Sequence, residues 1–489
     1  MKVCLNSPGF SYDVHSLVKA FYPEEDVEIV PCGEEAAEGY ICVYVSSGDI
    51  KKDETASGTV RVSAPDASGD LQVKEEDYAH FTRPELKNLV KRVLYDVLSR
   101  LTAKILPWGT MTGIRPVKVP MKLYRQGCSD EEIREYMKSV YLCSDEKIRL
   151  ATDIAKREAG IIDGLYGKGF SLYIGIPFCP TTCMYCSFTS YPIALWEKRT
   201  DEYLRAVKRE LDLFSGYYKG RTADSVYIGG GTPTTLSPGQ LYDLISYVSD
   251  KFDLSHIREF TVEAGRPDSI TAEKLKVLKE AGVGRISINP QTMNEKTLRL
   301  IGRRHTVEDV YRAFETARSA GFTNINTDLI LGLPGEDEAD VAYTFDRIKE
   351  LAPDSITVHS MAIKRAANMH RFLSEHKDVI SLNTPGMMKM AADTAKSLGL
   401  DPYYLYRQKN MAGNFENVGY ARKGCYGIYN IVIMEEISDI AAVGAGTISK
   451  RVFAKDRIER TDNVKDVALY IDRIDEMIDR KKKLFGKGD

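Results

Sequence analysis

Six short apolar segments, centred near Tyr173, Val226, Val262, Ile286, Ile325 and Ile356, recur through the middle of this 489-residue chain. Amphipathic stretches at residues 201–214, 238–248, 272–281, 307–320 and 337–351 separate them. A short apolar run reads as a buried strand, and apolar residues three and four apart read as one helix face. Strands alternating with helices become parallel neighbours through helical crossovers. That leaves a complete or partial barrel, or a doubly wound sheet, and periodicity does not choose among them.

The first segment runs into Pro177 and then into three cysteines, Cys179, Cys183 and Cys186, in LYIGIPFCPTTCMYCSF. Three thiolates spaced C-x3-C-x2-C on one loop suit an iron–sulfur cluster. A four-iron cluster held by three cysteines keeps one iron open to a ligand, as a catalytic zinc keeps one position open. A closed zinc site asks for four ligands, usually in paired spacings, and no second C-x2-C occurs. The scattered cysteines Cys4, Cys32, Cys42, Cys128, Cys143 and Cys425 read as small packing residues, Cys425 standing in a Gly-rich aromatic stretch.

With Tyr185 before its last cysteine, the triad resembles the radical S-adenosylmethionine (SAM) superfamily. YIGIPFCPTTCMYCSF is similar to the oxygen-independent coproporphyrinogen III dehydrogenases, above all to their HemZ-type branch. The resemblance implies an α/β fold: a three-quarter (β/α)6 barrel with an N-terminal α+β domain and a mixed C-terminal region. It implies a [4Fe–4S] cluster on Cys179, Cys183 and Cys186, with SAM bound at its open iron, and it adds Tyr173 to the catalytic set.

Functional groups of a barrel gather where strands end. A glycine run, Gly229-Gly230-Gly231, precedes Thr232, Glu263 ends one strand, Gln291 follows another, and Asp328 stands in an otherwise apolar strand where an unpaired charge would be costly. The resemblance assigns these residues, with Tyr185 and Arg303, to SAM. It further implies oxidative decarboxylation of coproporphyrinogen III and a low-potential electron donor such as flavodoxin or ferredoxin. An anionic tetrapyrrole asks for cations and flat walls, for which Lys364, Arg365, Arg407 and Lys409 are candidates among Tyr403, Tyr404 and Tyr406. The decarboxylating members usually carry histidine where this chain has Gly175. That difference keeps two rivals in view: a haem- or tetrapyrrole-binding chaperone that retains the cluster, and radical chemistry on another substrate.

The expected organisation is an N-terminal α+β domain (1–105), a Gly/Pro-rich linker and helical segment (106–168), the barrel (169–375) and a substrate-covering region (376–489). The segment PWGTMTGIRPVKV, with Arg115 and Lys118, reads either as a structured linker or as a loop offering cations to an acidic ligand. His15 and His80 are lone histidines without a constellation. A formal net charge of −3 argues against a general nucleic-acid-binding role. No apolar run approaches the ~18–20 residues of a membrane span, and the start lacks a signal-peptide pattern, so the expected location is cytoplasmic.

Overall fold

The computed structural model describes residues 1–31, 40–47, 50–51, 54–165, 169–362, 369, 372, 375, 381–408, 415–453 and 457–486. Lys364, Arg365, Lys409 and Cys32 lie outside the described residues. The chain divides into two compact units, one of residues 1–156 with 407–410, the other of 157–406 with 411–489.

In the first unit, strands β1 (Lys2–Leu5), β2 (Glu28–Pro31), β3 (Ile41–Val45), β4 (Thr55–Pro65) and β5 (Leu71–Thr82) form a sheet ordered β2-β1-β3-β4-β5. Helices α1 (Ser11–Phe21) and α2 (Arg83–Thr102) contribute to its core. The apolar period of α2 is used as the sequence implies: Leu86, Leu89, Val90, Val93, Leu94, Val97 and Leu98 are all buried. Each such side chain contributes about 1.5–3 kcal/mol relative to exposure. Strand β5, in contrast, carries no apolar alternation, because LQVKEEDYAHFT is an edge strand with most side chains in water. Helices α3 (Lys118–Arg125), α4 (Asp130–Tyr141) and α5 (Asp145–Ile162) follow, α4 opened by Ser129 and Glu132 bonding each other's backbone N–H.

The second unit is built on one sheet of eleven strands. Its centre is β6 (Phe170–Ile176), β9 (Ala223–Gly230), β10 (Glu259–Gly265), β11 (Arg285–Ile288), β12 (Ile325–Leu331) and β13 (Ser355–Ser360), all parallel. A two-residue pair, β7 (Phe178–Cys179) with β8 (Tyr191–Pro192), ties the base of the cysteine loop. Helices α6 (Thr200–Tyr217), α7 (Pro238–Lys251), α8 (Ala272–Glu280), α9 (Glu295–Leu300), α10 (Val307–Ser319) and α11 (Glu338–Leu351) make the crossovers.

The six strands lie side by side in chain order, without the reversal that defines a doubly wound sheet. Right-handed crossovers in one direction put every helix on the same face. The other face becomes an interior, and the fold is the partial barrel.

Beyond this core come α12 (Pro385–Ser397), β14 (Asp401–Tyr406), β15 (Asn417–Ala421), α13 (Ile428–Glu435), β16 (Asp439–Val443), β17 (Ile448–Val452), β18 (Ile458–Asp462), α14 (Val467–Asp472) and α15 (Ile474–Phe485). They continue the sheet at both edges. β15 adds antiparallel to β13 and β14 antiparallel to β15, while β16 adds parallel to β6 and carries β17 and β18. No helix among the described residues is long and apolar enough to cross a membrane.

A buried polar hub fixes the β16 edge. Glu210 of α6 and Lys481 of α15 pair with side chains 0 % and 1 % exposed. Glu210 also accepts from Gly444 N at 2.9 Å, Asn463 Nδ2 at 3.0 Å and Tyr470 OH at 2.5 Å. Removing one partner of a buried pair strands the other. Lys481→Met should therefore lower stability by about 3–5 kcal/mol, read by chemical denaturation; a loss no larger than that of an exposed lysine would contradict the hub's importance.

Candidate active site

Exposure traces the interior face. In five parallel strands nearly every residue is buried and one side chain apiece is partly open: Tyr173, Tyr227, Glu263, Asp328 and His359. Tyr406, the last residue of β14, joins them. They meet in series. Tyr173 stacks on Tyr227 at 6.0 Å, and Tyr429 of α13 stacks on both, at 5.6 and 4.7 Å. Tyr227 OH donates to Glu263 Oε1 at 2.6 Å. Asp328 Oδ2 stands 3.8 Å from His359 Nε2, whose ring bonds the Tyr406 hydroxyl through Nδ1 at 3.3 Å.

The two carboxyls of this wall are tuned in opposite directions. Burial raises Glu263 from 4.5 to about 7, with Asp328 adding to the rise and the Tyr227 hydrogen bond and Arg285 opposing it. Burial also pushes Asp328 upward, but hydrogen bonds and charge from His359, with Asn326 and Thr357, outweigh it and leave the carboxyl below its ordinary value. The charge in β12 thus has a partner on the next strand. Gln291 holds a left-handed backbone (φ +74°), rare for a residue with a side chain, while its N–H donates to Asp328 O at 3.0 Å. Local strain of this kind gathers at functional sites.

The cysteine loop leaves β6 at Pro177 and is stitched to the glycine turn after β9. Gly231 N donates to Ile176 O at 2.8 Å, Thr232 N to Phe178 O at 2.7 Å, and Thr232 Oγ1 to Cys179 Sγ at 3.4 Å. A Cβ on Gly231 would stand 2.7 Å from Phe178 O, so the approach needs glycine. The far side of the loop is held by Arg303, whose guanidinium donates to Tyr185 OH at 3.0 Å and Asn289 O at 2.6 Å and lies 4.0 Å from Cys183 Sγ. Arg303 is buried and its Nε has no partner among the described residues. Arg266, buried and paired with Asp268, holds Thr181 at 2.6 Å.

Burial raises the Cys179 thiol to about 11, Thr232 opposing and the other two cysteines adding, and it raises Cys186 as well. Metal uptake by such thiols releases protons. Among the described residues no three histidine, cysteine or carboxylate side chains converge on a position for a single metal ion. A four-iron cluster takes each thiolate on a different iron and asks for sulfurs spread over its corners. The all-sulfur donor set and the buried Arg303, with Nη1 4.0 Å from Cys183 Sγ and Nε unpaired among the described residues, fit such a cluster with an anionic ligand next to it.

Opposite Gly175, where the resemblance expects an imidazole, stands Thr447. Its methyl lies 2.6 Å from the place a Cβ on Gly175 would take, and its hydroxyl donates to Gly444 O at 2.8 Å. Tyr203 OH donates to Gly175 O at 2.6 Å and accepts from Ala445 N at 3.0 Å, closing strand and loop together.

The structure thus brings Cys179 to Gly231 and Thr232, Cys183 and Tyr185 to Arg303, and Tyr173 near Glu263 through Tyr227. Gly229 belongs to the same turn, its Cβ position 2.9 Å from Glu263 Oε1, and Gly230 follows at φ +107°. Arg407 stands elsewhere. It is buried, its guanidinium donates to Met111 O and lies over Trp108, and its backbone N–H donates to Ile114 O at 2.8 Å, so the residue is committed to the 107–119 segment. Tyr403 and Tyr404 are core residues with Cys425 packed beside them, leaving Tyr406 as the tyrosine of that group on the wall. Sequence reasoning missed His359, Tyr429, Arg266 and Thr447. His359 carries a signal like that of Asp328, the one ionisable side chain of its strand, in SITVHS.

Residues 173–348 match the model of the radical SAM superfamily. The chain is 37 % identical over 485 residues, 96 % of this chain and 94 % of the relative, to the oxygen-independent coproporphyrinogen-III oxidase-like protein HemZ of Bacillus subtilis. It is 40 % identical over 195 residues to the heme chaperone HemW of the same organism, across 40 % of this chain and 51 % of HemW. The solved coproporphyrinogen III oxidase HemN of Escherichia coli shares the fold at TM-score 0.50 and 23 % identity, over 64 % of this chain and 71 % of HemN.

Two outcomes follow from this geometry. Gly175→Ala should destabilise by about 1–3 kcal/mol through overpacking, and Thr447→Ser, which removes the methyl and keeps the hydroxyl, should recover most of the loss in the double variant; additive losses in thermal unfolding would refute the contact. Because the folded Glu263 pKa lies above its unfolded value, this carboxyl increasingly opposes folding as pH climbs from 4.5 to about 7. Glu263→Gln should therefore gain stability relative to wild type across that window and hold the gain above it, and a pH-independent difference would count against the raised carboxyl.

Proposed function

Because the chain belongs to the HemZ-type branch of the oxygen-independent coproporphyrinogen III oxidase family, within the radical SAM superfamily, we propose that it oxidatively decarboxylates coproporphyrinogen III to protoporphyrinogen IX. Its cofactors are a [4Fe–4S] cluster and SAM. When bound, these supply a carbon-centred radical that removes an unactivated hydrogen, the protein contributing binding and orientation. Two propionates would each give one hydrogen atom to that radical and then release carbon dioxide and one electron, the electron passing to a one-electron acceptor, to become vinyl groups, with a flavodoxin- or ferredoxin-like protein as the electron donor for the cluster.

The observation that carries this reading is one mouth of the barrel where three thiols, a glycine turn and a buried arginine meet at the end of a polar interior wall. In this reading Cys179, Cys183 and Cys186 hold the cluster. The backbone of Gly229, Gly230 and Gly231, with Thr232, receives the SAM amino group, and Arg303 the methionine carboxylate as a planar fork. Glu263, Gln291 and Asp328 take the adenosine, while Tyr185 backs Arg303. Tyr173, packed against both Tyr227 and Tyr429, makes an apolar wall that keeps water from the reacting carbon.

A second reading, a tetrapyrrole-binding chaperone, is favoured by Gly175, since the methyl of Thr447 stands where the decarboxylating relatives carry a side chain able to donate or accept a proton. The deciding experiment is anaerobic turnover of the reconstituted chain with coproporphyrinogen III, SAM and a low-potential reductant. Carbon dioxide and protoporphyrinogen IX support the first reading; stoichiometric haem uptake without either product supports the second. In both, replacing all three cysteines by alanine should abolish iron binding and cubane absorption, and retention of the cluster would refute the assignment.

A further inference from the structure

A second feature opens beside the cysteine loop, on the side of the C-terminal strands. A cavity of about 220 Å³ lies between Tyr173 and Gly230 of the barrel, Ser187 to Thr189 of the loop, and Ala445 to Thr447 with Lys465. Gly175 lines it with backbone alone, and the 444–447 loop beside it turns on Gly444 and Gly446, both at positive φ (+103° and +70°). Its lining holds one ammonium, that of Lys465, with the hydroxyl-bearing Ser187, Thr189 and Thr447 and no carboxylate. The nearest acidic neighbour in sequence, Asp466, accepts from Leu469 N at 2.8 Å as the cap of α14 and so faces the helix start. Lys465 is exposed, its backbone carbonyl accepts from Tyr191 OH at 3.5 Å, and its ammonium makes no ion pair among the described residues. At the rim stands Phe188, 72 % exposed, two residues beyond Cys186, the last thiol of the cluster loop.

An ammonium without an ion pair, hydroxyl groups and an exposed aromatic ring recognise a flat apolar body carrying an anion. We propose that this cavity is a carboxylate subsite in which Lys465 takes one propionate of the tetrapyrrole while Phe188 meets the face of the macrocycle. The inference rests on the tetrapyrrole reading above, and gives it a cation that the sequence did not single out. A carboxylate of SAM would satisfy the same ammonium, so the test separates the two sources.

The probe is coproporphyrin III, whose binding to the anaerobically reconstituted full chain is read by fluorescence at low and high salt. Lys465→Ala should weaken it by about tenfold or more, the scale of one hydrogen bond to a charged group, and should flatten its salt dependence. Lys465→Arg should restore most of the affinity, which a merely structural role for the stem would not require. The concentration of SAM giving half-maximal 5′-deoxyadenosine release should move far less than the porphyrin affinity. Equal porphyrin binding by Lys465→Ala and wild type overturns the subsite, as does a loss that falls on SAM instead. A wild-type chain that binds no coproporphyrin overturns the tetrapyrrole reading itself, a result distinct from either.

Discussion

Glu210 sits fully buried on α6, and donors from three later segments meet it: Gly444 N, Asn463 Nδ2, Tyr470 OH and the Lys481 ammonium. An ion taken from water without partners costs several kcal/mol, so the carboxylate is tolerable only with this full complement. The consequence is positional. Asn463 Nδ2 also donates to Gly444 O at 2.8 Å, and Tyr203, seven residues before Glu210 on the same helix, ties Gly175 to Ala445. One helix therefore holds the strand that launches the cysteine loop against the loop that follows β16.

The sequential winding of the sheet supplies the rest of the arrangement. With all crossovers on one face, the other face is enclosed by strands alone, and its side chains must either pack or line a cavity. Five strands place a partly open side chain there, and all five carry a polar or ionisable group. Glu263 rises and Asp328 falls within one wall because Tyr227 offers a single hydroxyl whereas His359, Asn326 and Thr357 together outweigh burial. Two carboxyls set apart in this way can serve different ligand groups at one pH.

Much of the fold was legible. The six strands and their helices declare themselves because both faces of a parallel strand are buried and the chain must be apolar throughout. Strand β5 and the role of β16 were less so. An edge strand that water reaches on most sides has no apolar period to show, and AAVGAGTISK carries nothing to say that its strand pairs with β6, some 270 residues earlier. The cysteine spacing, the glycine turn, Glu263 and Asp328 were legible for another reason: a thiol triad or a charge in an apolar strand is costly unless used.

What the amino-acid sequence determined by itself is the chemistry on offer: three soft ligands on one loop, glycines where backbone must approach, carboxylates at strand ends. What only the tertiary structure decided is which groups meet. Arg407 went to the 107–119 loop, where its guanidinium donates to Met111 O and its backbone N–H to Ile114 O. Thr447 came to Gly175, and His359 to Asp328, because strand register and the buried Glu210 hub bring distant segments within van der Waals reach. Residue type and spacing fix local conformation and reactivity, but a contact between segments far apart in the chain is set by the packing of the whole sheet, which no short stretch encodes.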